Sequence, residues 1–412
     1  MAFRNETLPN GLDLVTEAND AAYSVAVGFF VKTGSRDETD ELSGVSHFLE
    51  HMVFKGSERR RTFDVNREFD EIGAKYNAFT NEENTVFWAA VLPEYLPRAV
   101  DLLSDVLRPT LRGEDFEMEK QVILEEIGMY ADQPMFNAYE RCMQEHFGPH
   151  PLGHSVLGTI ETIAALTRDQ MQAFFDRRYR PENVICAAAG KFDYGELERL
   201  VETTAGRWSS GPVSRELGPA SPTGRFRLIT KDKVVQEHVV QLAAAPPAES
   251  EDRFAADVLS VIVGDDLGSR LYWELVDPGL ADTAEMTYHE FSASGAFMTC
   301  LSCSPDRTAD NLRRIVRLYR ELIRTGVSDE ELARAKSKIA ARIVLASERP
   351  MGRLVPLGFN WAYRREYRTV DDDLHRYAAV TADDIRRLLA AYPLDRLTTV
   401  AVGPLAELQP PC

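Results

Sequence analysis

Between Ala22 and Lys32, Val25, Val27, Phe29 and Val31 alternate with Ala26, Gly28 and Phe30, so both faces of this segment are apolar. That pattern predicts a strand in the middle of a sheet, covered on each side. Leu12–Glu17 predicts another strand. The period then changes. Gly44–Phe54 gathers Phe48, Leu49, Met52 and Val53 on one side and predicts a helix. Thr62–Ile72 predicts a second, with Phe63, Phe69 and Ile72 turned inward. Gly73–Thr80 opens a hairpin whose return strand is Asn84–Leu92. Pro93–Leu107 aligns Leu96, Val100, Leu103 and Leu107, and a helix from Arg112 to Tyr130 carries an apolar stripe of Val122, Ile123 and Ile127. A helix over Pro134–Phe147, a Thr167-capped helix through Met171, Phe174 and Phe175, a buried strand at Val184–Ala189 and an Asp193-capped helix complete this half.

Ser209–Gly224 is rich in Pro, Gly and Ser and has no apolar period, which marks a linker. After it the order of elements roughly repeats. Strands at Phe226–Thr230 and His238–Ala244 precede a helix at Arg253–Val263, and strands return at Thr283–Phe291 and Gly295–Ser302. Helices at Ala309–Arg324 and Ser328–Ser347, a Thr381-capped helix and a strand at Leu397–Val402 close the chain. The pattern predicts an α+β protein of two similar domains, each a mostly antiparallel sheet packed with helices. The expected boundaries are 1–208 for the first domain, 209–224 for the linker and 225–412 for the second.

The Gly44–Phe54 helix carries the candidate chemistry. His47 and His51 are four apart, so their rings leave the same face one turn from each other. That spacing offers two imidazoles to one zinc ion. Glu50 sits beside the second His, where its carboxylate reaches a water without being a ligand. His-x-x-Glu-His is the reverse of the His-Glu-x-x-His zinc-protease motif. A catalytic zinc usually takes three protein ligands. The best source of the third is the Arg112–Tyr130 helix, where Glu119 and Glu126 share a face two turns apart and Glu125 points elsewhere.

With these residues in view, the chain resembles the inverzincin zinc metallopeptidases of the insulysin, pitrilysin and mitochondrial processing peptidase family, in the short, two-domain bacterial form. Thr7–Gly11, Gly34–Glu38, His47–Gly56, Asn77–Thr80, Pro151–Thr159 and Tyr179–Asn183 carry the likeness through the first half, and Ser269–Tyr272 more loosely through the second. The resemblance implies that the third ligand is Glu126, 75 residues beyond His51, and that Glu119 is the family's helper glutamate on the same helix. It implies zinc as cofactor, Glu50 as proton carrier, Glu119 as the group orienting His51 or the water, and peptide-bond hydrolysis as the reaction. It also implies that Asn77, Ala78, Phe79 and Thr80 form a sheet edge to which an extended peptide adds as a strand.

One departure stands out. Active relatives often have an Arg, and a few residues on a Tyr, that meet the substrate opposite the zinc. After Glu274-Leu275 these positions read Val276 and Asp282, with one residue deleted. Tyr288 or Arg270 are candidate substitutes out of register. Some relatives divide the task between two chains. The expectation is therefore a dimer closing on a chamber: a homodimer, or a heterodimer with a related subunit that supplies the Arg/Tyr pair. The competing readings are a non-catalytic or partner-dependent scaffold subunit and a zinc hydrolase of some non-peptide amide.

Charge and composition narrow the partners. With 47 basic and 65 acidic residues the net charge is −18, which argues against nucleic acid or an anionic membrane. Cys142, Cys186, Cys300, Cys303 and Cys412 are too few and too irregular for a disulfide framework, and Cys300-Leu-Ser-Cys303 lies in a predicted strand. His146, His150 and His154 recur every four residues, but Gly148, Pro149, Pro151 and Gly153 preclude the helix that would make them a second metal site. His238, His289 and His375 are scattered. No secretory signal or membrane span is visible, and the expectation is a cytoplasmic protein.

Overall fold

The doubly apolar segment becomes the middle of a six-stranded sheet. A computed structural model describes residues 2–215 and 217–410; Met1, Glu216, Pro411 and Cys412, the last among the cysteines considered above, lie outside the described residues. In chain order the strands are β1 (Ala2–Thr7), β2 (Asp13–Ala18), β3 (Val25–Val31), β4 (Lys75–Thr80), β5 (Thr85–Val91), β6 (Val184–Gly190), β7 (Phe226–Thr230), β8 (Glu237–Ala244), β9 (Thr283–Phe291), β10 (Ser294–Cys303) and β11 (Thr398–Gly403). The helices of the first half are α1 (Val45–Val53), α2 (Thr62–Glu71), α3 (Leu96–Val106), α4 (Gly113–Ala131), α5 (Pro134–Phe147), α6 (Ile160–Ala165), α7 (Arg168–Arg178) and α8 (Tyr194–Thr203). Those of the second are α9 (Arg253–Gly264), α10 (Pro305–Thr325), α11 (Asp329–Ser347), α12 (Pro350–Arg364), α13 (Val370–Ala379) and α14 (Ala382–Ala391).

The first sheet has the order β1-β2-β6-β3-β5-β4, and the second β7-β11-β8-β10-β9. Among the described residues only β2–β6 and β7–β11 are parallel pairs; the other strand pairs are antiparallel. In each sheet the first strand of the repeat lies parallel to its last, and the last borders the second. The two sheets share one topology, with β1 added to the first, so the expected internal repeat is present.

The compact units do not follow the single expected cut at 209–224. One comprises Met1–Ile127, His154–Glu216 and Val344–Arg368; the other comprises Gly128–Gly153, Leu217–Ile343 and Thr369–Cys412. Two segments are exchanged, and the reason is the apolar character of both faces of each sheet. In the first unit Val27, Phe29 and Val31 of β3 face the core with α1 and α3, while Ala26 and Phe30 face Leu354, Leu357 and Trp361 of α12. In the second, Val240, Leu242, Val400 and Val402 face Ala138, Cys142 and Phe147 of α5, and the opposite face meets α9, α10 and α14. Without its exchanged helix each sheet would leave an apolar face in water.

α12 was not anticipated by the apolar pattern, because Pro350, Gly352, Pro356 and Gly358 punctuate it. Gly358 lets it lie close to the sheet. A Cβ on Gly358 would fall 2.3 Å from Cζ of Phe30. Arg353 adds a buried bidentate pair to Glu17, at 2.8 and 2.6 Å. Two inward assignments fail. Phe63 is 73% exposed and Val122 is 43% exposed, since α2 buries Val65 and Phe69 while α4 buries Phe116, Glu119 and Ile123. Cys142, Cys186, Cys300 and Cys303 are all unpaired. No helix among the described residues is long and apolar enough to cross a membrane.

Replacing Gly358 by Ala should therefore cost about 1–3 kcal/mol through overpacking against Phe30. Urea unfolding checks this; an unchanged midpoint and slope would mean that α12 has room to shift.

Candidate metal centre

α1 is placed by its start as much as by its apolar side. Gly44, at φ 93°, precedes it in the left-handed region, and a Cβ there would meet Leu157 O at 2.6 Å. The buried carboxylate of Glu38 accepts hydrogen bonds from the amides of Gly44 and Ser46, each at 2.7 Å. It thus satisfies donors that the first turn leaves open. Val45, Phe48, Leu49, Met52 and Val53 are fully buried, which leaves His47, Glu50 and His51 toward the second helix. α4 is held against α1 by Phe116 stacked on Phe48, with ring centroids 4.9 Å apart. Lys120 Nζ donates to Leu166 O at 2.7 Å and fixes the helix further along.

His47, His51 and Glu126 consequently converge. Each offers one ligand atom, and the three lie within 4.8 Å of one another; among the described residues this is the one such group of three or more His, Cys, Asp or Glu. Nε2 of His47 and of His51 are 3.8 and 3.6 Å from Oε2 of Glu126. Zinc bonds to nitrogen and oxygen of about 2.0–2.2 Å imply donor separations of roughly 3.3–3.6 Å at a tetrahedral angle. The donor set, two imidazoles and a carboxylate without thiol, suits zinc. Burial pushes His47 down to about 3, with the neighbouring His51 adding to the effect, so its ring is neutral and keeps a free lone pair.

Glu119 lies outside this group and bridges His51 and Lys55. Its Oε1 accepts a hydrogen bond from Nδ1 of His51 at 2.8 Å, which directs Nε2 toward Glu126, and its Oε2 is paired with Lys55. The Glu119 side chain is only 5% exposed. Burial opposes its charge, yet the bonds from His51 and Lys55 win and hold it below the usual carboxylate range. Burial likewise opposes a charge on His51, but the bond to Glu119 and the charges of Glu126, Glu119 and Glu50 outweigh it and raise the ring above its ordinary value. Nδ1 of His47 is buried and finds no hydrogen-bond partner among the described residues.

Glu50 stands beside the ligands and outside their group. Its Oε2 accepts a hydrogen bond from Thr80 Oγ1 at 2.6 Å, and burial raises it above the usual carboxylate range despite that bond. Glu125 is exposed on another face of α4. Apolar spacing in the sequence did not single out Lys55, because a lysine just past a helix C-terminus ordinarily answers only to the helix dipole. Nor did it reveal the Thr80–Glu50 contact, which joins residues 30 positions apart.

β4 is the edge of its sheet, and its register divides the expected quartet. Asn81 N donates to Asn84 O at 2.9 Å, closing the hairpin with a hydrogen-bonded pair. Pairing then alternates along Thr80↔Thr85, Phe79↔Val86, Ala78↔Phe87 and Asn77↔Trp88. Phe79 and Asn77 therefore turn their amides and carbonyls to β5, while Thr80 and Ala78 turn theirs to the open edge. The side chains divide too: Ala78 joins the core beneath α1, and Phe79 lies on the face covered by α12.

In the second unit, Val276 packs against the core and Asp282 accepts a bond from Gln236 at 2.8 Å. Both residues considered as substitutes for the Arg/Tyr pair have partners of their own. Arg270 is held by Glu331 at 2.7 and 3.0 Å, and the Tyr288 hydroxyl donates to Pro246 O at 2.7 Å. His146 and His150 are engaged with Thr398 and Gly218 O, and His154 with Ser35 O, so these three do not gather on a metal.

Known proteins share this architecture. The family described as "Insulinase (Peptidase family M16)" matches residues 13–160, and the "Peptidase M16 inactive domain" matches 165–339. An uncharacterized zinc protease of Mycobacterium tuberculosis is 34% identical over 410 residues, covering 98% of this chain and 94% of that protein. One of Bacillus subtilis is 28% identical over 384 residues, covering 93% of each. Among solved structures, a protease from Helicobacter pylori superposes with a TM-score of 0.91 at 22% identity, over 98% of this chain and 99% of that one. A chain of Complex III2 from Candida albicans superposes with 0.87 at 17% identity, over 99% and 97%.

Glu119→Gln and Lys55→Met should each weaken zinc binding by about 10–100-fold, as loss of a ligand-orienting partner does. Competition with a chromogenic chelator reads this out. Because His51 is raised, it must shed a proton to bind, so affinity should start to fall on acidification above the free-imidazole value of about 6.5. An affinity that stays flat from about pH 8 to about pH 5.5 would contradict that competition.

Proposed function

The chain belongs to peptidase family M16, and from that premise we propose that it is a zinc-dependent metalloendopeptidase acting on short or unfolded polypeptides. The observation that carries this reading is the arrangement of three ligand atoms within 4.8 Å with the Glu50 carboxylate beside them and not among them. A zinc ion held by His47, His51 and Glu126 would supply a Lewis acid and lower the pKa of a water from about 15.7 toward 7. Glu50 takes a proton as the water attacks a peptide carbonyl, and returns it to the leaving amine. General acid–base work of this kind contributes roughly 10²–10⁴-fold. Glu119, anchored by Lys55, keeps the His51 ring aimed. The edge-facing amides and carbonyls of Ala78 and Thr80 receive an extended substrate, each bond adding roughly 1 kcal/mol net. Backbone pairing reads little side-chain identity, which suits varied peptides.

The oligomer is part of the proposal. By the resemblance, Val276 and Asp282 fall where active relatives often have the Arg and Tyr, and Arg270 and Tyr288 are out of register and bonded to Glu331 and Pro246 O. We therefore propose a dimeric chamber, either of two copies or with a related subunit that supplies the missing pair. A cytoplasmic location belongs to the same reading and is in keeping with four unpaired cysteines. A net charge of −18 disfavours nucleic acid and anionic membranes as partners.

A second reading, a scaffold subunit without activity of its own, draws on that missing pair and on the likeness to a chain of Complex III2. The intact ligand group favours the enzyme. The purified chain should release fragments from a peptide library and stop when a chelator removes the metal. Glu50→Gln should keep its zinc by elemental analysis and lose at least about 10²-fold in cleavage rate. Cleavage by that variant at the wild-type rate would remove Glu50 from its role, and a zinc-loaded wild-type chain that cleaves only when a related subunit is added would favour the partner-dependent reading.

A further inference from the structure

Thr80 occupies an unusual position: it is the last residue of the edge strand and also touches the proton carrier. Its hydroxyl has one proton and two neighbours to choose between. Thr85 Oγ1 is 3.4 Å away and itself donates to Thr33 O at 2.9 Å; Glu50 Oε2 is 2.6 Å away. The proton therefore goes to Glu50, in a short, charge-assisted bond. A glutamate side chain has several staggered rotamers open to it, and this bond selects one. It occupies Oε2 and leaves Oε1 open. The alternation of β4 with β5, closed by the Asn81–Asn84 bond, turns the Thr80 amide and carbonyl to the free edge. One residue thus faces the edge with its backbone and the carboxylate with its side chain.

We propose that Thr80 is a positioning residue that sets the Glu50 carboxylate relative to a substrate strand paired on the same residue. This inference rests on the peptidase reading above and adds to it how the base is aligned. A substrate that docks out of register with Thr80 would present its carbonyl away from Oε1, so edge pairing and base geometry are coupled through a single side chain.

The test compares Thr80→Val, which keeps shape and loses the hydroxyl, with Thr80→Ser, which keeps the hydroxyl. All proteins are zinc-loaded, and melting temperature and zinc content are checked for equality. Thr80→Val should lower kcat by about tenfold or more with KM within about twofold, and Thr80→Ser should recover to within about threefold of the parent. In a Glu50→Gln background, Thr80→Val should leave peptide affinity unchanged, because the hydroxyl serves the base and not the peptide. A crystal structure of zinc-loaded Thr80→Val should show the Glu50 carboxylate turned from its place beside β4. Equal kcat in Thr80→Val and the parent, failure of Thr80→Ser to recover, or an unmoved carboxylate would overturn the inference while leaving the peptidase reading intact. A zinc-loaded parent that cleaves no peptide overturns the peptidase reading instead, and the crystal structure then still decides whether Thr80 holds Glu50.

Discussion

The centre depends on the apposition of two helices that the chain separates by some sixty residues. α1 brings His47, Glu50 and His51; α4 brings Glu119 and Glu126. Phe48 stacked on Phe116 sets their separation, and the buried Glu119 carboxylate sets their relative register by gripping His51 and Lys55 at once. A carboxylate so placed does double service. It repays its own desolvation through charged partners, and it fixes the tautomer and direction of the imidazole it touches. Were the helices to slide by one turn, Glu126 would leave the imidazoles and Glu119 would lose its bridge together.

The sheet supplies the other half of the geometry. β3 is covered on both faces, by α1 and α3 on one side and α12 on the other. β4 remains at the rim with one side open. A doubly covered centre and an open rim beside Glu50 is the division of labour that the proposed strand addition would need. The second unit repeats the topology and carries no comparable ligand group among the described residues.

How much of this could be read from the residues follows from the range of each interaction. The two imidazoles and the paired glutamates of α4 are legible because i, i+4 and i, i+7 spacings are local facts of a helix. That the two helices meet is not local, and only the resemblance to a known family pointed to Glu126 over Glu119. The exchange of α5 and α12 between units was hidden for the same reason: an apolar face declares that it will be covered, not by which segment. α12 was further disguised by its prolines and glycines, of which Gly358 serves close packing on Phe30. Phe63 misled because an apolar residue in the first turn of a helix can overhang solvent. The grouping of Asn77 to Thr80 treated four residues alike, whereas the pleat assigns alternate ones to β5 and to the edge.

One divalent ion held jointly by His47, His51 and Glu126 is what the proposed chemistry rests on. Anomalous diffraction at the zinc absorption edge from crystals of the zinc-loaded protein tests it most directly. A single strong peak is expected between Nε2 of the two histidines and the Glu126 carboxylate, within bonding distance of all three. A peak elsewhere, or no peak in protein shown to contain zinc, would contradict it.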